Sequence, residues 1–554
     1  MSEEVKLSKV EFIKDASNYL RGTLAEELAN DQPNISDDSA NLLKFHGSYQ
    51  QDDRDVRKSG KDYIFMVRSR IPGGRVPVEA FLAELDLCDK YGNGTLRITD
   101  RQGFQLHGIH KGDLKATIRG INAAKLSTRS ACGDVCRNFM CCPAPIKNSP
   151  VRAEMQKLAG ELADYFRPKT QAYYEIFLKD DNETTKVHEE VETYEPIYGK
   201  TYLPRKFKFG IALPDDNCID AYAQDLGFLA IVENGKIIGY NALPGGSMGM
   251  TPARKDTFPA VSKRLTFVPP DQVIPLAEAI VKVQRDFGNR EDRKLARMKY
   301  LIANWGLERF KAKVEEYYGQ SLPEPHPADV TDSLDHLGWH EQGDGRLFLG
   351  INVDNGRIKD DGDFRLKTAI RTILAKYPVE TRLTALQGMI LCDLEPSSRT
   401  EIDAILRHHG IPEFEGLSLT RRYSISCPAF PTCGLAVTEA ERAMPDILKS
   451  FEAELERQGL LGERISIHMT GCPNGCARPY TPDIGIVGKA KHKYTLYLGG
   501  NTEGTRIGFL WQDMVPEEEI TSRLAPVLAR WKTERQPGES FGDYCHRVGQ
   551  AALS

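Results

Sequence analysis

The chain has 554 residues, a net charge of −5, 40% hydrophobic and 27% charged residues. This balance describes a globular protein of roughly three to four domains and speaks against a basic nucleic-acid-binding surface. No apolar run approaches the roughly 18 residues of a membrane span, and the opening Met-Ser-Glu-Glu-Val-Lys lacks the apolar stretch of a secretion signal, so the expected setting is the cytoplasm, with reduced thiols.

In chain order, a strand at Phe65–Arg68 leads through Gly73-Gly74 and a helix over 78–90 to a second strand, Leu96-Arg97-Ile98-Thr99. Apolar and polar residues alternate there and in Phe104-Gln105-Leu106-His107, as a half-buried sheet requires. The polar face carries Arg97, Thr99, Arg101, Gln105 and His107, a set suited to an anionic, hydrogen-bonding ligand as well as to plain solvation. Cys132, Cys136, Cys141 and Cys142 crowd together. A metal site there is disfavoured, because vicinal cysteines are poor ligands and no histidine is near in sequence. A helix follows at 151–166, then a linker at 182–200. In Arg205-Lys206-Phe207-Lys208 a strand puts both ammonium groups on one face and Phe207 on the other. Helices are expected at 273–285 and 297–318, and a second linker at 321–345.

The pattern of the first strands then returns. Phe348–Ile358 and Thr381–Gln387 echo Phe65–Val76 and Leu96–Gln102 at nearly constant offset, which implies a duplicated α+β unit with a pseudo-twofold axis and a cofactor at its interface. Further on come Cys427-Pro-Ala-Phe-Pro-Thr-Cys433, a helix over 445–459, a strand ending at Gly471, Cys472-Pro-Asn-Gly-Cys476, and strands at 483–487 and 494–498. Four thiolates on stiff Pro/Gly turns are what an iron–sulfur cubane needs, and the spacing is not that of ordinary zinc modules. A four-thiolate zinc module or a simple electron-transfer protein are the alternatives from another class; the single cysteines 88, 218, 392 and 545 read as small buried hydrophobes.

With Cys427-x5-Cys433 and Thr470-Gly-Cys472-Pro-Asn-Gly-Cys476 the chain resembles the sirohaem- and 4Fe–4S-dependent sulfite and nitrite reductases, nearest to the haemoprotein subunits of assimilatory sulfite reductase. The match runs from Ser17–Thr23 and Phe45–Asp55 through Thr201–Lys208 to Gly538–Asp543. The resemblance implies an α+β fold: a ferredoxin-like half-domain over 1–165, a sirohaem-binding α/β domain over 166–325, a second ferredoxin-like half-domain over 326–420, and a cluster-binding domain over 421–554. It implies one sirohaem and one 4Fe–4S cluster held by Cys427, Cys433, Cys472 and Cys476, with Cys476 also ligating the sirohaem iron. It implies that Arg68, Arg137, Lys206 and Lys208 act on sulfite, and that Arg97, Arg101, Gln105, His107, Arg205 and Asn474 bind the sirohaem, with Gln387 a weaker candidate. Reduction of nitrite to ammonia is the alternative with the same cofactors.

The family also implies a protein electron donor, an NADPH-oxidising flavoprotein or ferredoxin, because the chain has no dinucleotide fingerprint of its own; Pro244-Gly-Gly-Ser-Met-Gly249 lacks the G-x-G-x-x-G spacing. Two departures stand out. Cys136 occupies a position that is commonly Asn in relatives, where a thiol would alter hydrogen bonding beside the haem, and Cys132 stands where some relatives link a cysteine to a tyrosine, which would here be Tyr49.

Overall fold

The computed structural model describes residues 6–170 and 195–553, together with the backbone of strands Ile176–Lys179 and Thr184–His188. Of the linker expected at 182–200, residues 182–183 and 189–194 lie outside the described residues, and Thr184–His188 is a strand.

Four five-stranded sheets organise the described residues, and they form two matched pairs. In the first pair, one sheet runs Ser48–Asp52, Tyr63–Arg68, Phe104–Ile109, Leu96–Ile98, and the other runs Gly338–Glu341, Leu347–Ile351, Met389–Leu394, Thr381–Leu383. Each receives its fifth strand from the opposite half: Arg357–Ile358 pairs with Leu96–Ile98, and Arg75–Val76 pairs with Thr381–Leu383. Helices Val78–Lys90 and Leu366–Lys376 pack against each other behind the sheets, joined by Arg371 to Asp86 and Asp89. The second linker, expected over 321–345, is therefore partly a sheet element, since Gly338–Glu341 is an edge strand.

The second pair of sheets shares one topology. Cys136–Cys141, Phe207–Ala212 and Leu226–Glu233 are parallel neighbours, extended antiparallel by Lys236–Pro244 and Thr266–Val268. Ser424–Ser426, Ile467–Thr470, Ile484–Ala490, Lys493–Leu498 and Phe509–Pro516 repeat that order and those directions. Strand Cys136–Cys141, placed with the first half-domain by a boundary at residue 165, is thus the edge of the second unit's sheet, and helix Val151–Tyr165 packs on it.

The two pairs are locked by equivalent glutamines. Gln102 and Gln387 both sit in turns with positive φ (51° and 66°), rare for a side chain bearing a Cβ. Gln102 Nε2 donates to the Cys141 carbonyl at 2.8 Å and its Oε1 accepts from the Cys141 N–H at 3.0 Å. Gln387 does the same to Ser426, at 2.8 and 3.1 Å. A buried amide that satisfies both backbone groups of one residue fixes register without leaving a polar atom unpaired.

The expected helices occur, with one change. The segment 297–318 is two helices, Met298–Trp305 and Leu307–Tyr318, broken at Gly306 with φ 79°.

Candidate functional site

The cysteine turns are built by close backbone packing. Ile467–Thr470 delivers Cys472 into a turn in which Gly475 has φ 62°, and a Cβ there would meet the Met248 carbonyl oxygen at 2.8 Å. Met250 N–H donates to the Pro473 carbonyl at 2.9 Å, so the glycine-rich 244–250 segment clasps this turn. The first turn is held from the N-terminal side: Arg54 donates to the Ala436 carbonyl at 2.7 Å and lies 4.4 Å from the centre of the Phe430 ring.

Burial pushes the Cys427, Cys433 and Cys472 thiols up, Cys472 to about 12, and the neighbouring sulfurs, Cys476 foremost, add to each shift. The four sulfurs are therefore mutual neighbours in a region that disfavours free thiolate, the condition in which metal binding supplies the missing positive charge. Gly471 N–H and Asn474 Nδ2 already point at sulfur, 3.3 Å from Cys427 Sγ and 3.4 Å from Cys472 Sγ. Cys476 alone of the four is exposed, while Cys433 is intermediate and is followed by the exposed Leu435.

Cys476 looks towards the cations. Its sulfur is within electrostatic reach of both Arg68 and Lys206. Arg68 Nη1 and Arg137 Nη1 converge on one carbonyl, that of Ala131, at 3.4 and 3.2 Å, and Arg137 Nε donates to Gly133 O at 2.7 Å. Lys206 and Lys208 flank the fully buried Phe207, and among the described residues neither ammonium has a hydrogen-bond or ion-pair partner. Burial first, then the cations around them (Lys208 and Arg205 for Lys206, Arg101 for Lys208), depress both lysines, Lys208 to about 7. Asp225 steadies this strand: it accepts the Lys208 N–H at 2.8 Å and holds Arg297 at 3.0 and 2.7 Å.

The remaining expected residues divide. Arg101 bonds Gln224, Asn138 O and Phe209 O, with Nε unpaired. Arg205 reaches Asp134 at 3.8 Å. Arg97 is committed to Glu441 at 2.9 Å, Ser426 O at 2.8 Å and Gln105 at 3.2 Å, and His107 Nδ1 meets Thr432 Oγ1 at 3.2 Å. The polar sheet face bearing Arg97, Gln105 and His107 is thus buried rather than solvated, with Arg97 paired and His107 Nε2 left without a partner. It is the buried seat of the Cys427–Cys433 segment.

Cys136 is fully buried on the core side of its strand, with Tyr198 and Arg70 as neighbours. By strand alternation a thiol here lies on the face opposite Arg137. Tyr49 and Cys132 are within mutual electrostatic reach, next to Arg68 and Arg137. Sequence reasoning passed over Arg478, which is buried, donates to Ala385 O at 3.3 Å and leaves Nη1 unpaired; its position two residues after Cys476 was the available signal. Arg297 carries no motif and was legible only in three dimensions.

The chemistry of this donor set fits a large polyanion. Arg68 Nε, Arg101 Nε, Arg478 Nη1 and His107 Nε2 are buried without acceptors, and an unpaired buried donor costs about 1–3 kcal/mol unless a ligand satisfies it. A carboxylate-rich tetrapyrrole and an oxyanion would supply acceptors, and the four cysteines next to them suit a thiolate-bound cluster.

Comparisons with known proteins agree with this geometry. The family model "Nitrite and sulphite reductase 4Fe-4S domain" matches residues 162–322 and 420–553, and "Nitrite/Sulfite reductase ferredoxin-like half domain" matches 57–124 and 340–409. The chain is 46% identical to the sulfite reductase [NADPH] hemoprotein beta-component of Geobacillus thermodenitrificans, over 98% of this chain and 96% of that one. It is 43% identical to the sulfite reductase [ferredoxin] of Synechococcus elongatus, over 99% and 90%. The NirA protein of Mycobacterium tuberculosis superposes with a TM-score of 0.79 at 23% identity, covering 99% of this chain and 98% of that one, and so shares the α+β fold. Two family models and full-length relatives place the chain in the nitrite and sulphite reductase family.

Proposed function

We propose that this chain is an assimilatory sulfite reductase, reducing sulfite to sulfide with six electrons, using one sirohaem and one 4Fe–4S cluster in the cytoplasm. The observation that carries the reading is that four cations gather about the one exposed cysteine, Cys476: Arg68 and Lys206 lie within electrostatic reach of its sulfur, Arg137 shares the Ala131 carbonyl with Arg68, and Lys208 neighbours Lys206. Cys427, Cys433, Cys472 and Cys476 would hold the cluster, and Cys476, the exposed one of the four, would be the ligand that couples it to the sirohaem. When bound, these groups supply electrons in quick succession to a substrate-binding iron.

The protein's own residues handle anion and protons. Arg68 and Arg137 stay charged and clamp the oxyanion, oriented by the shared Ala131 carbonyl. Lys208, with a pKa near neutrality, is matched to deliver protons as each oxygen leaves as water, and Lys206 supports it. Arg101, Arg205 and Asn474 meet sirohaem carboxylates or the cluster turn, while Arg97, Gln105 and His107 act by holding the Cys427–Cys433 segment in place. Electrons come from a separate protein, ferredoxin or an NADPH-oxidising flavoprotein; both kinds of donor are named among the relatives.

The test is kcat/KM for sulfite and nitrite measured on the holoenzyme with one donor. Preference for sulfite by tenfold or more is expected; preference for nitrite would assign the alternative reaction.

A further inference from the structure

A second convergence of metal-type ligands lies outside the cleft. Cys142, Asp216, Cys218 and His336 are all buried, and their ligand atoms lie within 4.8 Å of one another. Cys142 Sγ is 2.9 Å from Asp216 Oδ2 and 3.5 Å from His336 Nε2, and His336 Nε2 is 3.1 Å from Asp216 Oδ2. Among the described residues this is the only such group of three or more ligand side chains. Vicinal Cys141 takes no part, and neither do Cys132 and Cys136; the histidine absent from the local sequence arrives from far along the chain.

The location is not arbitrary. Gln102 clamps Cys141 as Gln387 clamps Ser426, so Cys142 and Cys427 follow equivalent residues. On the neighbouring strands Ile211 pairs with Cys141 and Met469 pairs with Ser426; seven residues on from each stand Cys218 and Cys476. The flanking loops correspond as well. The 244–250 segment covers the Cys472–Cys476 turn, and Glu503 O accepts from Asn217 Nδ2 at 2.8 Å beside Asp216. Cys142 and Cys218 thus occupy the pseudo-twofold counterpart of the four-cysteine site. His336 enters from the segment before Gly338–Glu341 with φ 58°, a conformation costing roughly 1 kcal/mol or more for a residue with a side chain.

We propose that Cys142, Asp216, Cys218 and His336 bind a single zinc-type divalent ion. Two thiolates cannot complete a cubane, and ligand atoms this close suit one ion rather than a cluster. Two sulfurs, one imidazole and one carboxylate form a closed four-coordinate set for zinc. The charges balance: three anionic ligands exceed the ion's charge by one, and Arg152 supplies the difference, its Nη1 touching Cys142 Sγ and lying 2.8 Å from Asp216 Oδ2. Arg152 is then the outer partner that orients two ligands. The ion joins three remote segments: the end of strand Cys136–Cys141, the loop after Phe207–Ala212, and the approach to the second half-domain. The proposal does not depend on which anion is reduced.

Zinc is measured by elemental analysis and by zinc-edge X-ray absorption on the holoenzyme, where iron from haem and cluster does not interfere. The expected result is about one zinc per chain, with two sulfur ligands at ~2.3 Å and two nitrogen or oxygen ligands at ~2.0–2.2 Å. Cys218→Ser and His336→Asn should each lower zinc content at least tenfold while sirohaem absorption persists; asparagine tolerates the positive φ, so that variant should fold even where the serine does not. Holoenzyme lacking zinc and failing to take up added Zn²⁺ overturns the proposal in favour of an all-protein ion network with Arg152. A Cys142–Cys218 disulfide, or zinc retained in both variants, overturns it equally.

Discussion

The two matched sheets show one backbone frame used in two ways. In both, an aspartate at the head of the third strand accepts a backbone N–H from the second strand at 2.8 Å, Asp225 from Lys208 and Asp483 from Ser466. Lys208 stands three residues before Ile211, and Ser466 three before Met469. In the N-terminal sheet that position sends an ammonium group into the cleft, whereas in the C-terminal sheet Ser466 turns back to Asp483. The loop ends differ in the opposite sense: the C-terminal one carries four cysteines and exposes Cys476, and the N-terminal one is sealed, with Arg152 against Cys142. One of the two matched sheets thus carries the four clustered cysteines and the other the buried, unpaired lysines Lys206 and Lys208. The asymmetry is carried by side chains, not by topology.

The largest effect should come from exchanging the two roles of cysteine. Cys476→Ser is expected to lower sulfite reduction more than a hundredfold and to remove spectroscopic coupling between haem and cluster, a direct ligand being worth at least as much as its outer partners. Cys218→Ser should leave that coupling intact. Full activity in Cys476→Ser would break the comparison.

Next comes Lys208. Its replacement by Met should cost about 10²–10³-fold in kcat/KM, the usual scale for a lost proton donor. Lysine donates only while protonated, so the rate should fall as pH rises through its pKa, which is about 7 in this cleft and higher once anions bind. Lys208→Arg stays charged throughout; it should keep anion affinity, lose rate, and lose this alkaline limb. An unchanged pH profile in the Arg variant would exclude Lys208 as donor.

A smaller effect separates the two half-domains. Helix Leu366–Lys376 buries only apolar residues, whereas Val78–Lys90 buries Glu84, whose one hydrogen bond comes from Ser69 Oγ. Burial raises Glu84 to about 7. Below the pKa of an ordinary carboxyl both folded and unfolded forms are protonated and nothing is lost. As pH rises from there through 7, the unfolded chain ionises first and stability falls, by up to ~3 kcal/mol. Glu84→Gln should thus stabilise the protein at pH 8 and leave it almost unchanged at pH 4.5, as read by thermal unfolding; equal effects at both would refute the assignment.

Much of this was legible in the sequence, for reasons that differ by element. The helix over 78–90 and the paired strands carry local periodicity, and the Pro/Gly-flanked cysteines carry their own spacing. The repeat was legible because both halves keep the same turn glutamine. The partners of Arg97 were not legible, because alternation gives the face of a strand but not what covers it; here Glu441 and Ser426 do. The break at Gly306 is a single residue inside an otherwise helical pattern. Cys218 reads as an ordinary core residue and a metal site at Cys142 is disfavoured by the local sequence, since His336 and Asp216 join them only through folding.

The exchange of strands Arg75–Val76 and Arg357–Ile358 between the first two sheets has a consequence for assembly. Neither half can complete its own sheet, so each is a template for the other and the two must form together from partners hundreds of residues apart. Contacts of such long sequence separation slow folding, and halves expressed as separate polypeptides would expose unpaired strand edges and tend to aggregate. Once closed, the clasp also forbids the halves from swinging apart.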